Sequence, residues 1–290
     1  MKKIIFLMPV YNDWKSLKKL LLEINSEVQN IKNYKFDCII INDSSSEKKS
    51  EIKKPINFES IKIINMKENR GHARCNAFGI RYINSKEVFD YAILMDSDGE
   101  DRPVEIKSLI GKISEKQDTS VVAKRVKRSE GLIFQTMYQI HKLITLIFTG
   151  KKINFGNYTC LTKQDINILS TKASLWSSFS GSVKKNLLNL NEVDSIRGLR
   201  YFGPSKMSLF NLATHSLSII AVFKYAVFLR STIMIIILSF LTTIIGSITI
   251  TLQILIVFFN LIIFIVSMRE NEKAFLNSHQ NVEDIVNIAH

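Results

Sequence analysis

The sequence predicts an α/β protein in which a doubly wound mixed sheet is followed by an amphipathic helix and two membrane-spanning helices. Three observations carry that prediction. Short apolar runs alternate with stretches of helical periodicity as far as Ile196, polar clusters close the successive runs, and Ser231 to Met268 contains no charged residue.

Ile4 to Met8 is apolar throughout and closes on Pro9-Val10-Tyr11-Asn12-Asp13. That pattern predicts a strand buried on both faces, not a signal peptide, and leaves the first unit in the cytosol. Leu17, Leu20, Leu21, Ile24 and Val28 then repeat at helical spacing with lysines opposite. Phe36 to Ile41 predicts the second strand, ending at Asn42-Asp43-Ser44-Ser45-Ser46. Ile61 to Ile64 predicts the third, after which Asn69-Arg70-Gly71-His72 leads into a helix through Ala73, Ala77, Ile80 and Arg81. Tyr91 to Met95 is the fourth, and Pro103 suits the first turn of a helix over Val104 to Ile113. Ser120 to Ala123 predicts a fifth strand, Leu132 to Phe148 a helix suited to a membrane surface, Gly156-Asn157-Tyr158 a turn, and Val193 to Ile196 a final strand.

Met207 to Phe228 is apolar with scattered Ser, Thr, His and Asn, which predicts a helix in the membrane interface. His215 there reads as an interfacial polar residue, not a metal ligand. The uncharged stretch suffices for two spans of roughly 18 to 20 residues, with the bend between Gly246 and Gln253. Lys224 and Arg230 before it, and Arg269 and Lys273 after it, put both flanks in the cytosol by the positive-inside rule. The expectation is a multi-pass protein of the cytoplasmic membrane: an α/β unit at 1–203, an interfacial helix at 204–230, two spans at 231–268 and a polar cytosolic tail at 269–290.

A formal net charge of +13 implies an anionic partner, whether nucleic acid, a membrane surface or a phosphorylated small molecule. Cys38, Cys75 and Cys160 are isolated in or near apolar stretches, with no spacing that suggests zinc or a disulfide framework. Neither Gly-x-Gly-x-x-Gly nor Gly-x-x-x-x-Gly-Lys-Ser/Thr is present, so a dinucleotide-binding Rossmann unit and a P-loop NTPase are both unsupported.

The chemistry concentrates at Asp96-Ser97-Asp98-Gly99. Two carboxylates one residue apart past a strand end can reach one hard cation while leaving room for water and phosphate, although solvated surface turns carry the same pattern. Asp43 stands after the second strand, placed to accept from a base or ribose or to take a capping or turn-forming role. Lys124-Arg125-Val126-Lys127-Arg128 is either a bidentate phosphate clamp or a solvated face. Arg197, Arg200, Ser205 and Lys206, around glycines at a turn into a helix, form a candidate phosphate site. Asn157 either faces this site or is a plain turn asparagine.

In order, these residues resemble the inverting family 2 glycosyltransferases of GT-A fold, specifically the polyprenyl-phosphate glycosyltransferases. Pro9-Val10-Tyr11-Asn12-Asp13 is similar to the family's Pro-x-Tyr-Asn-Glu. Asn42-Asp43-Ser44-Ser45 stands where Asp-Asp-Gly-Ser is usual, and Asn69-Arg70-Gly71 with Ala73 and Asn76 resembles the segment beside the nucleotide. Asp96-Ser97-Asp98 matches the metal motif, while Glu100 replaces a glutamine common in relatives. The resemblance implies donor binding by Pro9, Tyr11, Asn12, Asp13, Asp43, Asn69, Gly71 and Asp96, and Mg²⁺ or Mn²⁺ on Asp96 and Asp98. It implies donor-phosphate neutralisation by Arg125 and Arg128, and lipid-phosphate binding by Arg197, Arg200, Ser205 and Lys206.

The expected partners are therefore a nucleotide sugar, undecaprenyl or another polyprenyl phosphate, and the bilayer, with a homo-oligomer left open. Many relatives that glycosylate hydroxyls carry a late carboxylate base, and Leu175 to Lys184 has none. A phosphate acceptor needs none. Two rival expectations are a tethered transferase acting on a glycan hydroxyl and a non-catalytic subunit that binds nucleotide sugar. Nucleic acid is the weakest partner, since no binding motif is present.

Overall fold

The computed structural model describes residues 1–127, 132–203 and 208–288. Eight strands form one sheet in the order β7-β5-β6-β4-β1-β2-β3-β8. The first half alternates as the apolar runs demand: β1 (Lys2–Val10), α1 (Trp14–Val28), β2 (Tyr34–Asn42), β3 (Phe58–Met66), α2 (His72–Lys86) and β4 (Tyr91–Leu94). These four strands are mutually parallel, with β1 between β2 and β4. Strand periodicity sorts their side chains between two cores. Ile5 and Leu7 face one cluster with α2, while Ile4, Phe6 and Met8 face the other with α1.

A 3₁₀ turn at Pro103–Glu105 leads into α3 (Ile106–Glu115), followed by β5 (Val121–Lys127) and α4 (Leu132–Thr149). Next comes β6 (Phe155–Thr162), antiparallel to both β4 and β5. This corrects the expected turn at Gly156-Asn157-Tyr158, which instead lies within the extended span of β6, at an irregularity between the Val122–Thr159 and Lys124–Phe155 pairs. Two short helices, α5 (Lys163–Leu169) and α6 (Phe179–Asn186), precede β7 (Asn191–Ile196), which runs parallel to β5.

The expected single interfacial helix is broken. The structure has α7 (Leu209–Ala221), then a break at Val222-Phe223, then α8 (Lys224–Ile245). Gly246, at φ 84°, closes α8, and α9 (Ile248–Ser267) returns. At 1.5 Å per residue, 22 residues of α8 extend about 33 Å, enough to cross a hydrocarbon core of about 30 Å. Both helices are largely unburied and apolar outward, through Ile236, Phe240, Ile254 and Phe258 among others. α4 and α7 pack on the pair through Ile144, Phe148, Leu217, Ile220, Val227, Phe259 and Ile263.

The segment after α9 corrects the expectation of a separate tail. It forms α10 (Glu272–Leu276) and then β8 (Val282–Asn287), which pairs antiparallel with β3. The chain thus leaves the sheet, makes the apolar hairpin and returns to complete an edge.

Candidate active site

The polar clusters after β1, β2, β3 and β4 converge at one edge of the sheet. Asn12, at φ 50°, stitches two of them together. Its N–H donates to Ser45 Oγ at 2.9 Å and its Oδ1 accepts from the Glu47 N–H at 2.9 Å. Pro9 is buried at the end of β1, whereas Tyr11 and Asn69 are exposed.

Asp43 is engaged by backbone ahead of α2, a role of the capping kind. Its two carboxylate oxygens accept the backbone N–H groups of Arg70 and Gly71, each at 2.9 Å. Gly71 has φ 92°, a left-handed value that a side chain would strain, and this lets the backbone turn into Asp43. Both oxygens therefore fix the loop before α2.

Asp96 and Asp98 lie past the end of β4. Asp96 Oδ1 accepts from Asn157 Nδ2 at 3.0 Å and lies 3.1 Å from the His72 imidazole. Its N–H donates to Asp101 Oδ2 at 2.9 Å. Burial would raise the Asp96 pKa, but His72, Arg197 and Arg125 outweigh it and hold the carboxyl below its usual value. Asp98 is raised instead, by burial and by the charge on Asp96. Burial also raises Glu100, and together with Asp96 it pushes Asp101 up to about 8.

Two arginines after β7 close over these carboxylates. Arg200 donates Nη1 to Asp98 Oδ2 at 2.6 Å and Nη2 to Asp13, so it bridges the first and fourth strand ends. Arg197 pairs with Glu100. The segment is docked by the Gly198 N–H on Glu100 O (2.8 Å) and the Tyr201 N–H on Asp98 O (2.9 Å). At Gly99, φ 91°, a Cβ would stand 2.5 Å from the Tyr201 ring, so glycine is required for that approach. Glu105 aligns the end of β7, accepting from Ser195 Oγ at 2.6 Å, the Ile196 N–H at 2.9 Å and Arg102.

Sequence reasoning thus brings Asp13, Asp43, Gly71, Asp96, Asp98, Arg125, Arg197 and Arg200 to one edge. The side chain of Arg125 crosses Gly156 on β6 and interacts electrostatically with Asp96, Asp101 and Arg197. Arg128, Ser205 and Lys206 lie outside the described residues. The residues missed are His72, Arg74, Glu105 and His215. Arg74 stacks over Trp176, its centre 6.0 Å from the ring, and burial with Arg269 lowers its pKa to about 10. His215, on α7, is lowered to about 4 by burial, then by His72 and Arg125. The only local signal for His72 and Arg74 is that they continue the Asn69-Arg70-Gly71 loop.

The sequence profile of glycosyl transferase family 2 matches residues 5–179, from β1 to the first residue of α6. The chain belongs to glycosyl transferase family 2. Asp43, Gly71, Asp96, Asp98, Arg125 and Asn157 all lie inside the matched region, whereas Arg197 and Arg200 lie beyond it. A relative from Photorhabdus laumondii, named undecaprenyl-phosphate 4-deoxy-4-formamido-L-arabinose transferase, is 27% identical over 222 residues, 73% of this chain and 65% of its own. The protein of that name from Salmonella choleraesuis is 27% identical over 165 residues, 56% of this chain and 48% of its own. The chain therefore spans about half to two thirds of the length of these relatives. Among solved structures, mannosyl-3-phosphoglycerate synthase from Rubrobacter xylanophilus matches with a TM-score of 0.53 at 10% identity, covering 76% of this chain and 72% of that one. That likeness shows the shared GT-A fold of this family 2 domain.

Proposed function

We propose that this family 2 protein is a metal-dependent, inverting glycosyltransferase that moves a sugar from a nucleotide sugar to a polyprenyl phosphate at the cytosolic face of a membrane. One observation carries the reading. The edge that gathers Asp96, Asp98, Arg125, Arg197 and Arg200 is joined to the apolar hairpin through α4 and α7, so a soluble donor and a lipid phosphate can meet there. The names of the relatives support the acceptor class.

The donor set fits a divalent cation. Asp96 and Asp98 offer hard oxygens, and among the described residues Asp96 Oδ2 accepts no hydrogen bond. Asp96 and Asp98 would hold Mg²⁺ or Mn²⁺, which when bound supplies positive charge at the departing nucleoside diphosphate. The loop of Pro9, Tyr11, Asn12 and Asp13, with Asn69 and Gly71, forms the donor cradle, and Asp43 sets its shape. Arg125, with Arg128, neutralises donor phosphate. Arg197 and Arg200 exchange their carboxylate partners for the acceptor's phosphate, a phosphate that Ser205 and Lys206 also bind. That phosphate, largely dianionic above a second pKa of about 6, attacks the anomeric carbon without a general base. Residues 175–184, with Ser177, Ser178 and Ser180 and no carboxylate, offer none.

The test is transfer of radiolabel from a panel of nucleotide sugars to undecaprenyl phosphate, using detergent-solubilised protein with Mg²⁺ or Mn²⁺. Mild-acid-labile label in the organic phase from one donor is the expected result. Metal-dependent release of nucleoside diphosphate without lipid label would replace the lipid by a glycan hydroxyl as acceptor. Silence on both would leave a non-catalytic subunit.

A further inference from the structure

The return of the chain after α9 builds a cavity as well as a strand. Antiparallel pairing of Val282 with Met66 lays residues 277–281 beside the loop after β3. The Lys67 N–H donates to Asn281 O at 2.8 Å, Asn281 Nδ2 donates to Glu68 O at 3.1 Å, and Lys67 Nζ donates to Gln280 O at 2.9 Å. Asn281 is 4% exposed. On the inner side, Arg81 holds the same segment through Leu276 O at 2.9 Å and Ser278 Oγ at 3.0 Å. Between the segment and the loop lies a cavity of about 660 Å³, lined by Lys67, Arg70, Lys273, Asn277, Gln280 and Asn281 among others. That volume is in the range of small-molecule sites.

The loop wall of this cavity is the one that runs on to Gly71, which Asp43 holds at the proposed donor cradle. We propose that the segment 271–281 is the outer wall of the donor site and that Asn277 and Gln280 read the nucleoside of the donor. This rests on the nucleotide-sugar reading above. The lining chemistry favours a neutral, hydrogen-bonding ring over an anion. Arg70 is paired with Glu68 and Lys67 is spent on Gln280 O, so two of the three lining cations are committed. The carboxamides of Asn277 and Gln280 make no hydrogen bond among the described residues, and each presents a donor and an acceptor side by side, as the edge of a base requires.

The experiment is calorimetric titration of the full chain in detergent, with Mn²⁺, against UDP, GDP, CDP and ADP in turn. Wild type is expected to prefer one of the four. The Asn277→Ala/Gln280→Ala variant is expected to bind that one roughly tenfold more weakly, with discrimination flattened, as for loss of two hydrogen bonds, while inorganic pyrophosphate binds both proteins alike. Gln280→Ala alone, at an exposed position, gives the same readout at smaller size if the double variant does not fold. Wild-type affinities and rank order in the variants would overturn the proposal. So would unchanged nucleotide binding with weaker binding to phosphatidylglycerol vesicles, which would make the cavity a lipid-headgroup site. Failure of wild type to bind any of the four would instead remove the donor reading on which the proposal stands.

Discussion

Replacing Arg200 by methionine isolates the charge that holds the site together before any ligand arrives. The guanidinium bridges Asp98 and Asp13, and the three side chains are only 16%, 14% and 12% exposed. Removing one partner of a largely buried ion pair costs about 3–5 kcal/mol, because the other charge stays buried and uncompensated. The lower figure applies here, since water still reaches part of each side chain. For a chain of this size that is a fall of about 6 °C in melting temperature. Burial and Asp96 already raise Asp98, and losing Arg200 removes a charge that opposes them. A divalent cation held by Asp96 and Asp98, as proposed, would supply the missing positive charge, and a ligand that binds only the folded state stabilises it in proportion to its affinity. Melts of the full chain in detergent, with EDTA or with Mn²⁺, should therefore show a lower melting temperature for Arg200→Met in EDTA. They should also show a larger rise on adding Mn²⁺ than wild type gives. Equal rises in the two proteins would refute the idea that guanidinium and cation neutralise the same carboxylates.

Asp98→Asn should lower turnover by roughly a hundredfold, as for loss of one preorganised electrostatic contact, read as release of nucleoside diphosphate; turnover like wild type would remove Asp98 from the proposed metal site. Gly79→Ala should destabilise by about 1–3 kcal/mol, because a Cβ at Gly79 would stand 2.5 Å from Leu7 Cδ1 where α2 meets β1; an unchanged melting temperature would show that Leu7 yields freely. Asp101→Asn should change how stability depends on pH. Burial first, and Asp96 second, push the Asp101 carboxyl up to about 8, against about 3.9 in the unfolded chain. Its contribution is thus fully present below about pH 3.9 and is lost as pH rises through 8. In EDTA, the variant should gain on wild type between pH 5 and 8, and parallel melting curves would count against a buried, protonated Asp101.

The central strands were legible because burial on both faces of a parallel sheet leaves an unbroken apolar run, as in Ile4 to Met8 and Ile39 to Ile41. β6 was not, because Gly156 and Asn157 are turn formers by local preference. They are held extended by the pairs that flank them, Lys124–Phe155 on one side and Val122–Thr159 and Leu94–Thr159 on the other, a tertiary cause with no local trace. β8 escaped for the opposite reason: Val282-Glu283-Asp284-Ile285-Val286-Asn287 is a polar edge strand whose one partner is more than two hundred residues away. The carboxylates of the site showed themselves through spacing, which is local. Their neutralisation did not, since Arg200 meets Asp98 only after β7 has been placed beside β5 and aligned by Glu105.

That division has a physical basis. A pair of carboxylates drawn from one turn needs only the turn, whereas the charges that hold these five acidic residues together come from distant parts of the chain. Asp13, Asp96, Asp98, Glu100 and Asp101 accordingly face Arg125, Arg197 and Arg200 from β5 and the end of β7, strands that join the sheet only through β6. β6, one of the two strands hidden from sequence, is therefore the one that brings the arginines to the acids, and Asn157, donating from β6 to Asp96, marks the point of contact.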